Sequence, residues 1–368
     1  MPIPLPQQQG CQARRQLLVD ELKQLDVELA VLTRPESVQW LTGAFIGPLM
    51  EVMAAITVTG EVTLVLPARK LDIPHVADRL VSYEAKWMST MRSDQREAAT
   101  KELLANIPAA PSRVGVEFSR HSQYLGASWQ CEWVDLEPTL FQLRRHKHPD
   151  ELAILAQANQ ANRRMYERAR EMVAPGLLEL DLYNELHRVA VLELGEPLTY
   201  FGQDFQAASR GGPPRNRAAQ AGELYILDLG VGYRGYFSDN ARTLSVDRHP
   251  TDVQLAAWEH LVKVFSLIES TVRPGVSCAA LFESVKEQLA AADPLVFNHH
   301  LGHGVGLAPH EGPHLNPNWD DHFAEGDFFT AEPGLYHPNL NVGIRLEQNY
   351  VVTATGVELL TPWPLELC

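Results

Sequence analysis

The stretch that decides the fold lies near the C-terminus and reads HGVGLAPHEGPHLNP (303–317), DFFTAEPGLYHP (327–338) and VGIRLEQNYVV (342–352). Two glutamates, Glu332 and Glu347, lie inside its apolar, strand-like runs. Seven of the 14 histidines fall in this stretch or just before it: His299, His300, His303, His310, His314, His322 and His337. A charged side chain within a buried strand is destabilising unless it is paired or coordinated. Both glutamates are therefore predicted to be paired with a cation or to coordinate one.

Two aspartates upstream have the same context. Asp228 lies in ILDLG (226–230), and Asp239 lies in YFSDNARTLSV (236–246). One histidine and four carboxylates form a hard, oxygen-rich donor set that suits divalent cations, and this number of anions favours two ions held close together. The predicted metal ligands are Asp228, Asp239, His303, Glu332 and Glu347.

Each of these residues has a structural alternative when it is taken singly. Asp228 before Leu-Gly and Asp239 before Asn are both typical of turns. His303 and His310 are compatible with ordinary loop histidines, and Glu332 before Pro-Gly is compatible with a surface turn. The metal-site interpretation depends on all five residues occurring together.

The composition excludes several classes of protein. The 368 residues include 46 acidic and 31 basic ones, for a formal net charge of −15. This balance argues against nucleic acid or an anionic membrane as a partner, and no apolar run reaches the ~18 residues that span a bilayer. The opening MPIPLPQQQG lacks the layout of a signal peptide and is predicted to be a frayed tail. The four cysteines form no CxxC pair, so neither a disulfide framework nor a thiolate metal site is indicated, and we expect a cytoplasmic enzyme.

The first 142 residues alternate short strands and helices. A helical pattern (12–30) precedes the apolar strand LAVLT (29–33), and AAITVT and VTLVLP flank a predicted hairpin turn at Gly60. An amphipathic helix is predicted over 94–107, ended by Pro108, with a strand at RVGVEF (113–118). No phosphate-binding loop or catalytic cluster appears, so this small α/β domain is predicted to serve oligomerisation or to wall off a site.

Residues 143–368 contain two similar segments, which suggest an internal repeat. REMVAPGLLELDLYNELHRV (170–189) is matched by ESTVRPGVSCAALFESVKEQL (269–289), each with a helix, a Val-x-Pro-Gly turn and a second helix. The first unit is followed by the aspartate-bearing strands and the second by the glutamate-bearing strands. A duplicated α+β unit would bring these strands face to face about a pseudo-twofold axis. The alternative is a chance recurrence of the Val-x-Pro-Gly motif.

At these residues the sequence resembles the pita-bread metallopeptidases (family M24), which include methionine aminopeptidase, aminopeptidase P and prolidase. The matching segments are ILDLGVGYRGYFSDNARTLSV, LGHGVGLAPHEGP, TAEPGLY and GIRLEQNYVVT. The N-terminal part is similar to the creatinase-like domain of the prolidase and aminopeptidase P branch, as in RPESVQWLTG (34–43). The resemblance implies an α+β protein with an N-terminal α/β domain (1–142) and a catalytic pita-bread domain (143–368).

The resemblance also implies roles for individual residues. Asp228 would bind one metal through both carboxylate oxygens, Asp239 and Glu347 would bridge two metals, and His303 and Glu332 would complete the second site. A metal-bridging hydroxide would be the nucleophile, with Glu332 relaying its proton. His310 would contact the scissile carbonyl oxygen. Arg345 is a candidate partner of a ligand carboxylate, and Tyr336 lies near enough to Glu332 in sequence to line a substrate pocket.

Three departures from the family pattern bear on substrate range. The loop before Asp228, AASRGGPPRNRAAQAGELYILD (207–228), has no histidine where relatives usually carry one, and Ser209 or Arg210 is expected to occupy that space. Ala241 replaces a common threonine, and Gln348 replaces a common acid.

The expected function is hydrolysis of Xaa-Pro bonds by a prolidase-type dipeptidase, with a small peptide carrying proline at its second position as substrate. The alternatives are an Xaa-Pro aminopeptidase, a non-catalytic binding protein of this fold, and a metal-free hydrolase similar to creatinase. Mn or Co is the expected metal, with Zn possible. A homodimer is the family expectation.

Overall fold

A six-stranded mixed sheet forms the centre of the first of two units, which comprises residues 1–144 and 148–151. The structure is a computed structural model that describes residues 5–107 and 111–368. The strands of this unit are β1 (Leu29–Leu32), β2 (Met53–Thr57), β3 (Val62–Pro67), β4 (Arg79–Tyr83), β5 (Lys86–Trp87), β6 (Thr90–Met91), β7 (Arg113–Val116) and β8 (Glu132–Asp135). The sheet order is β4-β3-β2-β1-β7-β8, and β5 pairs with β6 in a separate hairpin.

The predicted hairpin at Gly60 is confirmed. Strands β2 and β3 pair antiparallel, and Gly60 has φ +91°, a left-handed conformation that glycine adopts without steric cost. The predicted strands at 29–33 and 113–118 correspond to β1 and β7.

The helices of the first unit are α1 (Leu5–Gln24), α2 (Pro35–Thr42), α3 (Gln95–Asn106), α4 (Gln123–Ser128) and α5 (Glu137–Arg145). The helix predicted over 94–107 is confirmed as α3, whereas Pro108, predicted to end it, lies outside the described residues.

The prediction of a frayed tail is wrong from Leu5 onward, because α1 begins there; residues 1–4 lie outside the described part. Tertiary contacts account for the difference. Arg14 pairs with Asp150 through a 2.9 Å contact, and Gly10 packs so closely on Asp150 that a Cβ atom would lie 2.0 Å from its Oδ1. Cys11 is fully buried. These contacts hold a segment whose composition gives no sign of order.

The second unit comprises residues 145–147 and 152–368. Its strands are β9 (Tyr200–Ala207), β10 (Leu224–Tyr233), β11 (Tyr236–Phe237), β12 (Asn240–Ser245), β13 (Gly302–Gly304), β14 (Glu311–Leu315), β15 (Phe328–Ala331), β16 (Gly334–His337), β17 (Val342–Arg345), β18 (Gln348–Val352) and β19 (Val357–Leu359). Its helices are α6 (Pro149–Met172), whose first residues belong to the first unit, α7 (Glu179–Leu194), α8 (Asp252–Thr271) and α9 (Cys278–Leu289). One sheet has the order β11-β10-β12 with β9 paired to β10, another has the order β14-β13-β15-β18-β19, and β16 pairs with β17.

The backbone hydrogen bonds confirm the internal duplication. Gly176 N–H donates to Ala219 O, and Gly275 N–H donates to Phe323 O, both at 2.8 Å. Leu178 forms an isolated bridge with Ala218, as Ser277 does with His322. Gly176 and Gly275 both have a positive φ, +95° and +87°. Each turn therefore follows the first helix of a pair and docks onto the chain that leads to the strands.

The two prolines of the repeated motif lie in the turns and not at the starts of the second helices. Pro175 and Pro274 each precede the positive-φ glycine, and α7 and α9 begin only at Glu179 and Cys278. Each second helix can begin only after the glycine with positive φ, because a residue in the left-handed conformation cannot be part of a right-handed helix.

Each half has its own apolar core between a helix pair and a sheet. Met165 of α6, Leu186 of α7 and Leu227 of β10 belong to the first core. Leu261 of α8 and Phe329 of β15 belong to the second. Strands β10 and β15, which carry or precede predicted ligands, are thus covered by helices on one face.

No helix within residues 5–107 and 111–368 combines the length and apolarity needed to cross a bilayer.

Candidate metal and active site

All five predicted ligands are buried and lie on the strands of the second unit or beside them. Asp228 is in the middle of β10, Asp239 directly precedes β12, His303 is in β13, Glu332 directly follows β15, and Glu347 lies between β17 and β18. None of the five is more than 9% exposed. Five ionisable side chains with so little access to water require compensation from one another or from a ligand.

The alternation of strand β10 explains the direction of Asp228. Every residue of β10 is buried, but Tyr225, Leu227, Leu229 and Val231 belong to the first apolar core. Successive side chains of a strand point to opposite faces, so Asp228 points away from the helices. Asp228 lies opposite Ala241 of β12 and Asp204 of β9.

Strand β15 repeats this pattern in the second half. Phe329 and Ala331 belong to the second core, so the intervening positions face the other way. Glu332 continues the strand, and its N–H donates to Leu301 O at 2.7 Å. Glu332 therefore takes in the second half the place that Asp228 takes in the first.

Two buried asparagines join the halves reciprocally. Asn240 Nδ2 donates to Glu347 O at 3.1 Å, and Asn349 Nδ2 donates to Asp239 O at 2.9 Å. Glu347 N–H also donates to Ala241 O at 3.0 Å. Sequence analysis missed both asparagines, although each follows a predicted ligand closely. They fix the backbone at Asp239 and Glu347, which brings the two carboxylates together.

The donor atoms fall into three groups, of which one is His299–His300–Glu332 and the other two overlap. In each of two triads, Asp228–Asp239–Glu347 and Asp239–His303–His310, one donor atom per residue lies within 4.8 Å of the others. Asp239 belongs to both triads. His303 Nε2 lies 3.7 Å from Asp239 Oδ2 and 3.3 Å from Glu332 Oε1. The predicted ligands therefore converge, with Asp239 at the junction.

Burial and mutual repulsion raise the pKa of three carboxyl groups. Burial raises the pKa of Asp228 to about 6, although the guanidinium of Arg345 opposes the shift. Burial, and next the neighbouring carboxylates, raise the pKa values of Asp239 and Glu347 well above their usual range. The protein alone therefore does not supply enough positive charge for the cluster.

Glu332 and His303 behave as a pair. Burial alone would raise the pKa of Glu332, but the hydrogen bond from His303 and the nearby histidines hold it well below its usual range. Burial disfavours the charged form of His303, whereas its bond to Glu332 raises its pKa. His303 Nδ1 also lies 3.0 Å from Gly304 O, which orients the ring.

His310 lies over His303. Their rings are stacked, with centroids 3.7 Å apart and an interplanar angle of 16°. Partial desolvation, followed by the charge of His303, lowers the pKa of His310 to about 4, although the residue is partly exposed to solvent. His310 is therefore neutral at physiological pH, and one ring nitrogen can donate a hydrogen bond.

The candidate site opens into a cavity of about 320 Å³. The predicted residues that line it are Asp228, Asp239, His303, His310, Glu332, Tyr336 and Arg345. Glu347, although part of the ligand cluster, is 1% exposed and lies behind them. Arg210, expected to occupy the space of the missing loop histidine, also lines the cavity, and sequence analysis did not assign four further lining residues to the site: Gln203, Asp204, His299 and His300. The two histidines were visible as part of the histidine-rich run, whereas Asp204 gave no local signal.

The chain matches two families. Residues 153–354 match metallopeptidase family M24, and residues 14–146 match the creatinase/prolidase N-terminal domain. The chain belongs to family M24. The predicted family and enzyme class, a metallopeptidase, are confirmed at this level. An uncharacterized peptidase of Staphylococcus saprophyticus is 25% identical to this M24 chain over 351 residues, which cover 94% of the chain and 97% of the relative.

Solved structures share the fold of this M24 chain. The prolidase of Pyrococcus horikoshii superposes with a TM-score of 0.78 at 22% identity, covering 97% of this chain and 100% of that one. The X-Pro aminopeptidase of Thermotoga maritima gives 0.78 at 19% identity, covering 96% and 98%. The predicted fold class, α+β with two domains and duplicated pita-bread units, is confirmed.

The donor set of the M24 chain fits divalent cations. No N–H group donates to Asp228 Oδ1 or to Glu347 Oε2 among the described residues, although both atoms are buried. An anionic oxygen with no donor in a buried cluster is destabilising, and a cation removes that cost. Four carboxylates and an imidazole form a hard donor set suited to Mn, Co or Zn.

Arg345 links the cluster to the wall of the cavity. Its Nη2 lies 2.8 Å from Asp228 Oδ2 and also pairs with Asp204. Its Nη1 donates to Tyr336 O–H at 3.4 Å and to Arg210 O at 3.1 Å. Arg345 therefore pairs with Asp228, one of the predicted ligands, and also with Asp204.

The departures from the family pattern are spread unevenly around the site. Arg210 lines the cavity, whereas Ser209 Oγ is turned to its own loop and donates to Gly211 O. Gln348 is buried away from the cavity, where its Oε1 accepts from Thr361 Oγ1 at 2.8 Å. Ala241 is fully buried in β12. Of these positions, only Arg210 faces the space in which a substrate would lie.

Proposed function

We propose that this chain is a dinuclear metal-dependent peptidase that hydrolyses Xaa-Pro bonds, most favourably in dipeptides. The observation that carries the proposal is the position of Asp239 in two donor triads at once. A carboxylate shared in this way suits two adjacent cations, with Asp228 and Glu347 on one side and His303 on the other. Glu332, 3.3 Å from His303, completes the second side.

Bound divalent cations would supply Lewis acidity and an activated water at neutral pH. The protein residues would handle the proton. Glu332 lies 3.3 Å from His303, where its carboxylate can accept a proton. It can then return the proton to the nitrogen of the departing amine, which must be protonated for the peptide bond to break.

His310 would stabilise the developing charge on the scissile carbonyl oxygen. Its low pKa keeps the imidazole neutral, so that it acts as a hydrogen-bond donor without losing a full charge. Its stacking on His303 fixes the plane of the ring. Tyr336 and Arg345 would line the substrate side of the cavity.

The proposed substrate class is supported by the size of the cavity and by the similarity of the fold to solved structures. A cavity of about 320 Å³ suits a small peptide. Solved proteins with this fold are described as prolidases and as X-Pro aminopeptidases. Proline at the second position of the substrate is therefore the first choice to test.

The test uses protein stripped with a chelator and then reloaded with Mn, Co or Zn. Hydrolysis of an Xaa-Pro dipeptide is compared with that of the matching Xaa-Ala dipeptide. We expect metal-dependent hydrolysis with a clear preference for proline. An absence of hydrolysis with every metal would overturn the peptidase proposal and favour a binding protein or a creatinase-like hydrolase.

An aminopeptidase acting on longer peptides is the second candidate. A neighbouring cavity of about 730 Å³ shares Arg210 and Tyr336 with the candidate site, which offers space for further residues. Equal or faster hydrolysis of Xaa-Pro-Yaa than of Xaa-Pro would favour this candidate.

We also propose that the protein forms a homodimer with the first unit as its interface. We further propose that it is located in the cytoplasm. Light scattering coupled to size-exclusion chromatography tests the dimer, and a monomer at micromolar concentration would contradict it.

A further inference from the structure

Arg210 is carried by a tight turn that folds back on strand β9. Gly212 N–H donates to Asp204 Oδ1 at 2.6 Å, and Ser209 Oγ donates to Gly211 O at 2.9 Å. Gly211 and Gly212 have φ values of +155° and +120°. A Cβ atom on Gly211 would lie 2.4 Å from Asp204 Oδ2. The turn therefore requires these glycines, and it sets the point from which the Arg210 side chain leaves the backbone.

The guanidinium of Arg210 is held in place without a carboxylate. It lies over the Tyr336 ring, 4.0 Å from the ring centroid, and Nη2 donates to Asn298 Oδ1 at 2.6 Å. The Arg210 carbonyl accepts from Arg345 at 3.1 Å. In the part of the chain that the structure describes, no acidic oxygen forms an ion pair with Arg210, whereas Arg345 pairs with two aspartates.

Arg210 stands between two spaces. With Tyr336, it lines both the site cavity of about 320 Å³ and the outer cavity of about 730 Å³. The site cavity is otherwise rich in carboxylates, which repel a negatively charged substrate terminus. Since Arg345 is engaged by Asp204 and Asp228, Arg210 is the cation of this wall that remains able to receive an anion.

We propose that Arg210 binds the terminal carboxylate of the substrate at the outer end of the site cavity and so restricts the enzyme to dipeptides. This inference rests on the proposed peptidase function. A guanidinium forms two parallel hydrogen bonds with a carboxylate, and stacking on an aromatic ring preorganises it for that contact. A longer peptide brings a neutral amide to the same position and must pass the Arg210 side chain to reach the outer cavity.

The test compares an Xaa-Pro dipeptide, its C-terminal carboxamide and an Xaa-Pro-Yaa tripeptide. The wild-type enzyme is expected to favour the free acid over the carboxamide by roughly tenfold or more in kcat/KM, mostly through KM, as one charge-assisted contact predicts. In Arg210→Met this ratio falls towards one, while hydrolysis of the carboxamide and the tripeptide is retained or increased. Arg210→Lys keeps the charge and gives an intermediate ratio.

Arg188→Met is the matched control, since Arg188 is exposed on α7 and pairs with Glu185. It should keep the wild-type ratio. A second test needs no variant. If Arg210 binds the terminal carboxylate, free proline should inhibit the wild-type enzyme more strongly than prolinamide does.

Two results would overturn the inference while leaving the peptidase proposal intact. One is equal turnover of acid and carboxamide by the wild-type enzyme, with equal inhibition by proline and prolinamide. The other is an equal loss of both activities in Arg210→Met, which would assign Arg210 to the support of Tyr336. Failure of the wild-type enzyme to cleave any of the three substrates would instead refute the proposed function.

Discussion

Asp204 and Asp228 lie directly opposite each other on neighbouring strands β9 and β10, and both pair with one guanidinium, that of Arg345. The register of the strands thus brings two carboxylates together at the edge of the buried carboxylate cluster. Asp228 has one oxygen engaged by Arg345, while its other oxygen faces the cluster without an N–H donor. Arg345 therefore fixes the orientation of Asp228 and offsets part of the negative charge.

Replacement of Arg345 by methionine should destabilise the second unit. In the metal-free protein it leaves two carboxylates facing each other with no cation, and breaking a buried ion pair in this way typically costs about 3–5 kcal/mol. Denaturant unfolding measures this loss. The double variant Arg345→Met/Asp204→Asn should recover part of it, because one of the opposed charges is gone. A loss below about 1 kcal/mol in the single variant, a value typical of exposed pairs, would contradict this role.

Replacement of Glu347 by glutamine should separate metal binding from stability. At neutral pH the stripped variant should unfold at a higher temperature than the stripped wild-type protein, because a repelled buried carboxylate is removed. Its affinity for Mn²⁺ should fall by more than the roughly 10- to 100-fold typical of losing a hydrogen-bond partner of a ligand. Calorimetry with and without Mn²⁺ measures both effects. Glu358→Gln, an exposed carboxylate on β19, is the control and should change neither.

Stability of the chelated protein should depend on pH with a definite sign. The pKa of Asp228 rises to about 6 on folding, and those of Asp239 and Glu347 rise well above their usual range. The folded state then binds more protons than the unfolded state above about pH 4, so unfolding free energy falls as pH rises through 6 and beyond. The raised pKa of His303 acts in the same direction, whereas the lowered pKa of Glu332 acts oppositely and only in acid.

The slope should be about 1.4 kcal/mol per pH unit for each extra proton bound by the folded state. Thermal unfolding between pH 5 and pH 8 in the presence of a chelator measures it. Saturating Mn²⁺ should flatten or reverse the slope, since the cations replace the protons. A chelated protein that becomes more stable from pH 5 to pH 8 would contradict the assignment of this buried cluster.

The two duplicated turns should respond alike to a substitution. Gly176 and Gly275 both have positive φ, and a Cβ atom added to either meets no atom within 4 Å. Alanine at each position should therefore destabilise by about 1 kcal/mol through backbone strain alone, and the double variant should show the sum. Gly356 has equal space but no positive φ, so Gly356→Ala should be nearly neutral. Unequal effects of Gly176→Ala and Gly275→Ala would indicate that the two turns are not equivalent.

Local patterns were sufficient for much of the fold. The hairpin at Gly60, helices α3 and α7, and strand β10 follow from alternation, helical periodicity and glycine positions. The pattern failed at α1, where polar residues and prolines suggested a tail. There the helix is held by contacts of Gly10 and Arg14 with Asp150, about 140 positions away. Local composition carries no information about such a partner.

The residues of the candidate site also fall into those that sequence could identify and those that it could not. Asp228, Asp239, His303, Glu332 and Glu347 could be selected from sequence because a charge inside an apolar strand needs a partner wherever the strand packs. Asp204, Asn240 and Asn349 could not be selected, because ordinary polar residues acquire a role only from the strand or carbonyl that lies opposite.

The sequence by itself indicated the order of the elements, the duplication and five of the buried ionisable residues, since all three depend on periodicity and spacing along the chain. Only the tertiary structure decided that Arg345 is shared by two aspartates and that Arg210 contacts Tyr336 and Asn298 but, among the described residues, forms no ion pair with a carboxylate. Those relationships depend on strand register and on the close approach of distant segments, which no local pattern specifies.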